Sequence, residues 1–201
     1  MGLRERKKSE TRAALSWAAL RLAVERGLDN VRVEDIADAA GVSPRTFNNY
    51  FSSKGEAIAT HHLDRCLRIA AALRERPAEP LWDAITRAAL PQFASPAGAG
   101  APHASDPAKW TAGARMMLAQ PALHGELLRA GARAEAEIAA AVADRTGTDL
   151  ERDLYPHLVA SAVMAAINTA MAHHLRGDPP VPADRLLADA LVGLAAGLPA
   201  P

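Results

Sequence analysis

The sequence predicts an all-α protein, and three observations predict it. Of the 201 residues, 49% are apolar, enough for a real core. Many of these are alanine, the strongest helix former, while strand-favouring runs of Val, Ile, Thr and aromatics are scarce. Apolar positions also recur at helical spacing along most of the chain. The length allows one or two compact domains.

The elements follow in order. Leu15, Ala18, Ala19, Leu22 and Ala23 mark one face of a helix over 10–26, which Gly27 ends. A short second helix runs from about Glu34 to Ala40 and closes at Gly41. The third starts at Ser43-Pro44, a good N-cap followed by the residue best suited to the first helical position. Ser53-Lys54-Gly55-Glu56 has capping-box form and opens a fourth helix reaching about Arg76. After PAEP at 77–80 comes a fifth, Leu81 to about Phe93. Ser95 to Pro107 reads as a loop or linker. Helices then cover about Ala108–Ala119, Ala122–Arg145 and Asp149–Arg176, and after DPPVPAD (178–184) a last one runs from Asp184 to about Leu198. That is about nine helices, with no sequence repeat.

Composition narrows the function. Net charge is zero, but residues 1–55 hold ten Lys/Arg against seven Asp/Glu, and the remainder thirteen against sixteen. The basic excess lies at the start: Arg4, Arg6, Lys7, Lys8 and Arg12 against Glu5 and Glu10. Such an arm suits a phosphate backbone. The single cysteine, Cys66, permits no internal disulfide, which fits a reducing cytosol, and reads as a small core residue. No apolar segment follows the N-terminal charges as in a signal peptide. Leu154 to Leu175 lacks Asp, Glu, Lys and Arg and is long enough to span a membrane, but Pro156, Asn168 and three histidines make it read as a buried helix. A cytoplasmic protein is expected.

The richest stretch is AAGVSPRTFNNYF, 39–51. Three of the chain's eight aromatic residues, Phe47, Tyr50 and Phe51, fall in it. Phe47 and Phe51 are four apart and share a helix face, which can pack on Leu15 or Leu22. With that face buried, Arg45, Thr46, Asn48 and Asn49 point outward. A helix, a tight turn and a short polar-faced helix is the plan of a helix-turn-helix, whose second helix enters the major groove. Arg can bond guanine O6 and N7 together, Asn can pair with adenine N6 and N7, and Thr can contact phosphate or a thymine methyl. Lys54 at the start of the fourth helix suits a phosphate.

Thr11 to Ile58 closely resembles the N-terminal domain of the tetracycline-repressor (TetR) family, on the ERG, VEDIADAAGVS and YFSSK blocks together. The resemblance implies a DNA-binding domain at 1–55 and a helical ligand-binding and dimerisation domain at 56–201. It implies a repressor that binds a palindromic double-stranded DNA operator as a homodimer, with a small-molecule effector, no enzymatic activity and no cofactor. By position it puts DNA contacts on Ser43, Pro44, Arg45, Thr46, Asn48, Asn49, Tyr50 and Lys54. The family often has Thr at the start of helix two. Arg32 and Val33 stand there instead, so Arg32 is the candidate for that phosphate. The family often has Tyr at the position of Asn48; either that phosphate contact is lost or Asn48 reads a base. RERKK, SPRTF-x-NYF, Trp110…Arg115-x-x-Leu118-x-x-Pro121-Ala122-Leu123 and the stretch around Asp153–Pro156 resemble the mycofactocin-regulator-like branch, which implies an acyl-CoA-like ligand.

Within the C-terminal part, Trp110, Arg115, Met116, Met117, Met164, Asn168 and Met171 combine apolar lining with a few polar groups, as ligand cavities do. Met adapts to irregular ligands, Arg115 can meet an anion, and Asn168 stands out because a buried amide needs partners. The Asp149–Arg176 helix is apolar or small on nearly every side, so it is expected to be buried all round, between a cavity and a partner subunit. Leu158 and Ala162 on it, with the stripe Leu187, Leu191, Leu194 and Leu198 on the last helix, are the candidate dimer contacts, with Gly193 and Gly197 permitting close approach. The pairs His61-His62 and His173-His174 lack the spacing that puts two ligands on one metal, and no zinc-type cluster is present, so no metal site is expected. No G-x-S-x-G nucleophile motif or phosphate loop appears. Two rival readings stay open: a ligand-binding protein with a degenerate DNA-binding domain, kept alive by Asn48 and Val33, and an acyl-thioester enzyme, opposed by the lack of a nucleophile–base pair.

Overall fold

The computed structural model describes residues 2–94, 107–177 and 181–199. Most of the expected loop at 95–107, and residues 178–180 of the later break, lie outside the described residues. The described residues form α1 (Leu3–Arg26), a 3₁₀ turn (Leu28–Asn30), α2 (Val33–Ala39), α3 (Pro44–Tyr50), α4 (Lys54–Arg74), α5 (Leu81–Phe93), α6 (Pro107–Leu118), α7 (Pro121–Thr146), α8 (Tyr155–Arg176) and α9 (Ala183–Ala195), with no strand among them. They divide into two compact units: Met1–Leu63 with Lys109–Ala130, and Asp64–Ala108 with Gly131–Pro201.

The first unit is built on α1. Leu15, Ala19, Leu22 and Ala23 are all but fully buried, as their spacing requires. Fully burying a leucine side chain contributes about 1.5–3 kcal/mol. Ser16 is buried among them and is satisfied, its hydroxyl donating to the Ala57 carbonyl of α4 at 2.8 Å. The helix begins at Leu3, seven residues before the expected start. The basic residues of the arm therefore ride on helical turns. No Gly or Pro interrupts 3–26, the Thr11 hydroxyl donates to the Lys7 carbonyl at 2.9 Å, and Arg6 pairs with Glu10 at 3.6 Å, one turn on.

Residues from far along the chain complete this unit. The Trp110 ring of α6 stacks on Trp17 of α1, centroids 5.5 Å apart, and Trp17 also meets His61 of α4 at 5.7 Å. Gly113 lets α6 lie directly on the end of α1: a Cβ there would stand 2.2 Å from the Val24 carbonyl oxygen.

In the second unit α9 packs on α5 and α8. Ile69, Leu73, Ile85, Ile138, Ile167 and Leu191 are among its fully buried side chains. α8 is long and apolar enough to cross a membrane by composition alone, yet half of that window is buried inside the protein. It starts at Tyr155, not at Asp149, with Pro156 in the first turn where a missing N–H costs nothing. Asp149 instead caps its own turn, accepting from the N–H groups of Glu151 and Arg152 at 2.8 and 3.2 Å. α9 ends three residues early, because the N–H groups of Leu198 and Gly197 turn back to the Gly193 and Leu194 carbonyls at 2.8 and 3.0 Å. Cys66 is a buried thiol whose pKa its own burial raises to about 11, so it is an inert core residue.

The close approach at Gly113 can be tested against a second helical glycine. Gly113→Ala is expected to destabilise by about 1–3 kcal/mol through overpacking. Gly131→Ala, where an added Cβ meets nothing within 4 Å, is expected to stabilise by about 0.5–1 kcal/mol through helix propensity. Urea denaturation reads both, and equal effects would contradict the packing of α6 on α1.

Candidate nucleic-acid interface

The turn between α2 and α3 is fixed by backbone bonds. The N–H of Val42 donates to the Ala37 carbonyl and that of Gly41 to the Asp38 carbonyl, both at 3.0 Å. This pair of bonds needs a left-handed residue between them, and Gly41 has φ +69°. The chain then leaves in extended conformation at Ser43, whose Oγ accepts from the Thr46 N–H at 3.2 Å and caps α3, with Pro44 at the first helical position.

Rotation of α3 is set by its rings. Phe47 is 0% exposed and Phe51 3%, their centroids 5.6 Å apart. The Arg12 guanidinium lies 5.9 Å from the Phe51 ring centre. With that side buried, Arg45, Asn48 and Asn49, at relative positions i, i+3 and i+4, are exposed on one face. None of the three engages a protein group among the described residues. Ser43 and Pro44 are exposed at the helix start, while Thr46 and Tyr50 are half-buried. The Thr46 hydroxyl is 2.9 Å from that of Ser43. Arg32 is the N-cap of α2 and is exposed; its backbone N–H donates to the Asp35 carboxylate at 2.9 Å.

Lys54 has a further task that sequence reasoning missed. Its ammonium donates to the Leu28 carbonyl at 2.6 Å and to the Val31 carbonyl at 3.0 Å. It therefore ties the start of α4 to the segment that enters α2. An ammonium carries three N–H donors, and these two bonds use two of them. The capping at α4 also differs in one arm. The Glu56 N–H donates to the Ser53 hydroxyl at 2.9 Å as expected, but the Glu56 carboxylate accepts from the N–H and hydroxyl of Ser52, each at 2.7 Å.

The other candidates are spread out. Trp110, Arg115, Met116 and Met117 lie in the first unit; Met164, Asn168 and Met171 lie in the second. Met117 and Met164 are buried, Trp110 and Met171 half-buried, and Arg115, Met116 and Asn168 exposed. Asn168 falls on a stripe of α8 exposed along its length: Leu154, Leu158, Ser161, Ala165, Asn168 and Ala172. Ala162, beside that stripe, is half-buried. Of the candidate dimer residues, Leu158 is 56% and Leu198 68% exposed, Leu194 is half-buried, and Leu187 and Leu191 are buried in the protomer's own core. Val192 and Leu154 are further exposed apolar side chains of α9 and the α8 start.

Two short helices joined by a tight turn, the second presenting Arg45, Asn48 and Asn49 to solvent, form a helix-turn-helix, the element by which many proteins bind DNA. The family pattern described as "Bacterial regulatory proteins, tetR family" matches residues 17–58, and that described as "MftR C-terminal domain" matches 79–199. The HTH-type transcriptional regulator TcmR of Streptomyces glaucescens is 34% identical over 183 residues, which are 88% of this chain and 79% of that protein. The chain belongs to the TetR family of bacterial transcriptional regulators, DNA-binding proteins that are not enzymes. Two solved structures share its fold. The fatty acid degradation regulator FadR from Bacillus halodurans superposes with TM-score 0.60 at 17% identity, covering 94% of this chain and 96% of that one. A putative TetR-family regulator from Rhodococcus sp. superposes with TM-score 0.58 at 23% identity, covering 95% and 100%.

The Lys54 bonds make a test that needs no DNA. Lys54→Met is expected to lower unfolding stability by about 1–3 kcal/mol, the range for charged hydrogen bonds lost from a part-buried site. Lys8→Met, on the exposed start of α1, is expected to stay within about 0.5 kcal/mol. Indistinguishable urea midpoints for the two variants would remove the structural role of Lys54.

Proposed function

We propose that the protein is a cytoplasmic, ligand-responsive repressor. As a homodimer it binds a palindromic operator, and a small hydrophobic or acyl-CoA-like ligand releases it. The reading rests most on the α3 face, where Arg45, Asn48 and Asn49 are exposed together and engage no protein group among the described residues. In this reading residues 1–55 bind DNA and residues 56–201 hold ligand and partner. Arg45 reads guanine; Asn48 and Asn49 read base edges. Ser43, Pro44, Thr46, Tyr50, Lys54 and Arg32 hold the backbone on either side.

Dimerisation uses the exposed side of α8 and α9. Leu187 and Leu191 are spent on the protomer core, so Leu154, Leu158, Ala165 and Val192 carry the apolar contact, with Ala162 and Leu194 at its edge. A two-fold arrangement presents the same stripe twice. The effector then acts by preferring one spacing of the two recognition helices over another; a ligand that bound both spacings equally would shift nothing. The matching of the C-terminal part to the "MftR C-terminal domain" supports the ligand class, as does the likeness in fold to a regulator of fatty acid degradation.

Arg45→Ala is expected to weaken binding to the best operator by about 1–3 kcal/mol and to relax preference at one base pair per half-site. Lys54→Ala should weaken all sequences alike and reduce the salt slope by about one. Binding titrations over a set of singly substituted operators check both. An unchanged sequence preference in Arg45→Ala would show that the recognition face is elsewhere.

A further inference from the structure

The second unit buries an arginine that no carboxylate among the described residues neutralises. Arg65, on α4, is only 6% exposed. Its Nε donates to the Gln92 carbonyl at 3.0 Å, and its guanidinium carbon stands 4.1 Å from the Phe93 ring centre. The Gln92 carbonyl is among the last four of α5, which have no partner within the helix. That bond uses one of the five guanidinium N–H donors. The other four engage no protein group among the described residues.

Among the described residues Arg65 makes no ion pair. The groups acting on Arg65 by charge are Cys66 and Arg68, not an Asp or Glu. Cys66 is a neutral thiol, because its burial raises its pKa to about 11. Arg68, one turn on, brings a second cation, its Nε donating to the Gln92 side-chain oxygen at 2.7 Å. Burial lowers the Arg65 pKa to about 10, which leaves it charged at neutral pH. A buried ion is stabilised by a partner of opposite charge or by full hydrogen bonding, and among the described residues Arg65 has one hydrogen bond and no carboxylate.

We propose that Arg65, with Arg68 beside it, is an anion site that receives the acidic group of the effector, a carboxylate or a phosphate. The planar fork of an arginine matches the paired oxygens of either group. Buried apolar neighbours such as Phe93 and Ile69 suit an acid with an apolar body. This proposal rests on the effector reading and gives that effector its charge.

The test uses the full chain, with decanoate, its neutral methyl ester and decanoyl-CoA as probes in binding calorimetry. At least one acidic probe is expected to bind wild type tenfold or more tightly than the ester. Arg65→Gln should abolish that preference and Arg65→Lys should restore part of it. Loss confined to decanoate assigns the site to a carboxylate, and loss confined to decanoyl-CoA assigns it to phosphate. Equal binding of acid and ester, an acid preference that survives Arg65→Gln, or no binding of either acid to wild type would overturn the site. The wild-type comparison of acid with ester stands even if Arg65→Gln fails to fold. Operator release measured in parallel separates this from the effector reading. Arg65-dependent binding that leaves operator affinity unchanged would sink the effector reading alone, and release by the neutral ester as strong as by the acids would sink the anion site alone.

Discussion

The burial of Phe47 decides what this protein can do. A seven-residue helix has little stability of its own and no preferred rotation in water. With Phe47 wholly inside and Phe51 beside it, α3 has one orientation, and Arg45, Asn48 and Asn49 are left facing solvent together. The turn before it is equally constrained, since only a left-handed Gly41 lets the two reversed bonds form. Recognition chemistry is therefore a by-product of packing: the rings fix the helix, and the helix fixes the donors.

The first unit also shows why the DNA-reading part cannot be treated as an isolated fragment. Trp110 stacks on Trp17, and the backbone at Gly113 lies against the Val24 carbonyl, so α6 is part of the same packed body as α1. Packed interiors transmit displacement because they have no slack. A shift of α6 has to be accommodated by α1, which carries α2 on its surface. Lys54 adds a second tie, from the start of α4 to the carbonyls that lead into α2.

Much of this was legible in the residues. Helix order followed from periodicity, and Gly41 and Ser43-Pro44 marked the turn because each has a steric reason to be there. The blocks within Thr11–Ile58 carry the family's pattern, which matches residues 17–58. What could not be read was tertiary. Nothing near Lys54 in sequence announces that its ammonium reaches carbonyls more than twenty residues away. The leucines at 187, 191, 194 and 198 form a uniform stripe by spacing, yet Leu187 and Leu191 are buried in the chain's own core, because α9 packs against both α5 and α8 and ends before Leu198. Asn168 read as a buried amide in an apolar helix; only packing shows that its face of α8 is exposed. Arg65 drew no attention because an arginine on a helix is ordinarily solvated, and its burial is visible only in three dimensions.

The most direct measurement is selection of bound duplexes from a random DNA pool by the purified full chain at moderate salt. Enrichment of a two-fold palindrome is expected, since the proposed homodimer would present two α3 faces related by symmetry. Enrichment of no sequence, under conditions where another TetR-family regulator enriches its own operator, would contradict it and leave a ligand-binding protein whose helix-turn-helix no longer reads DNA.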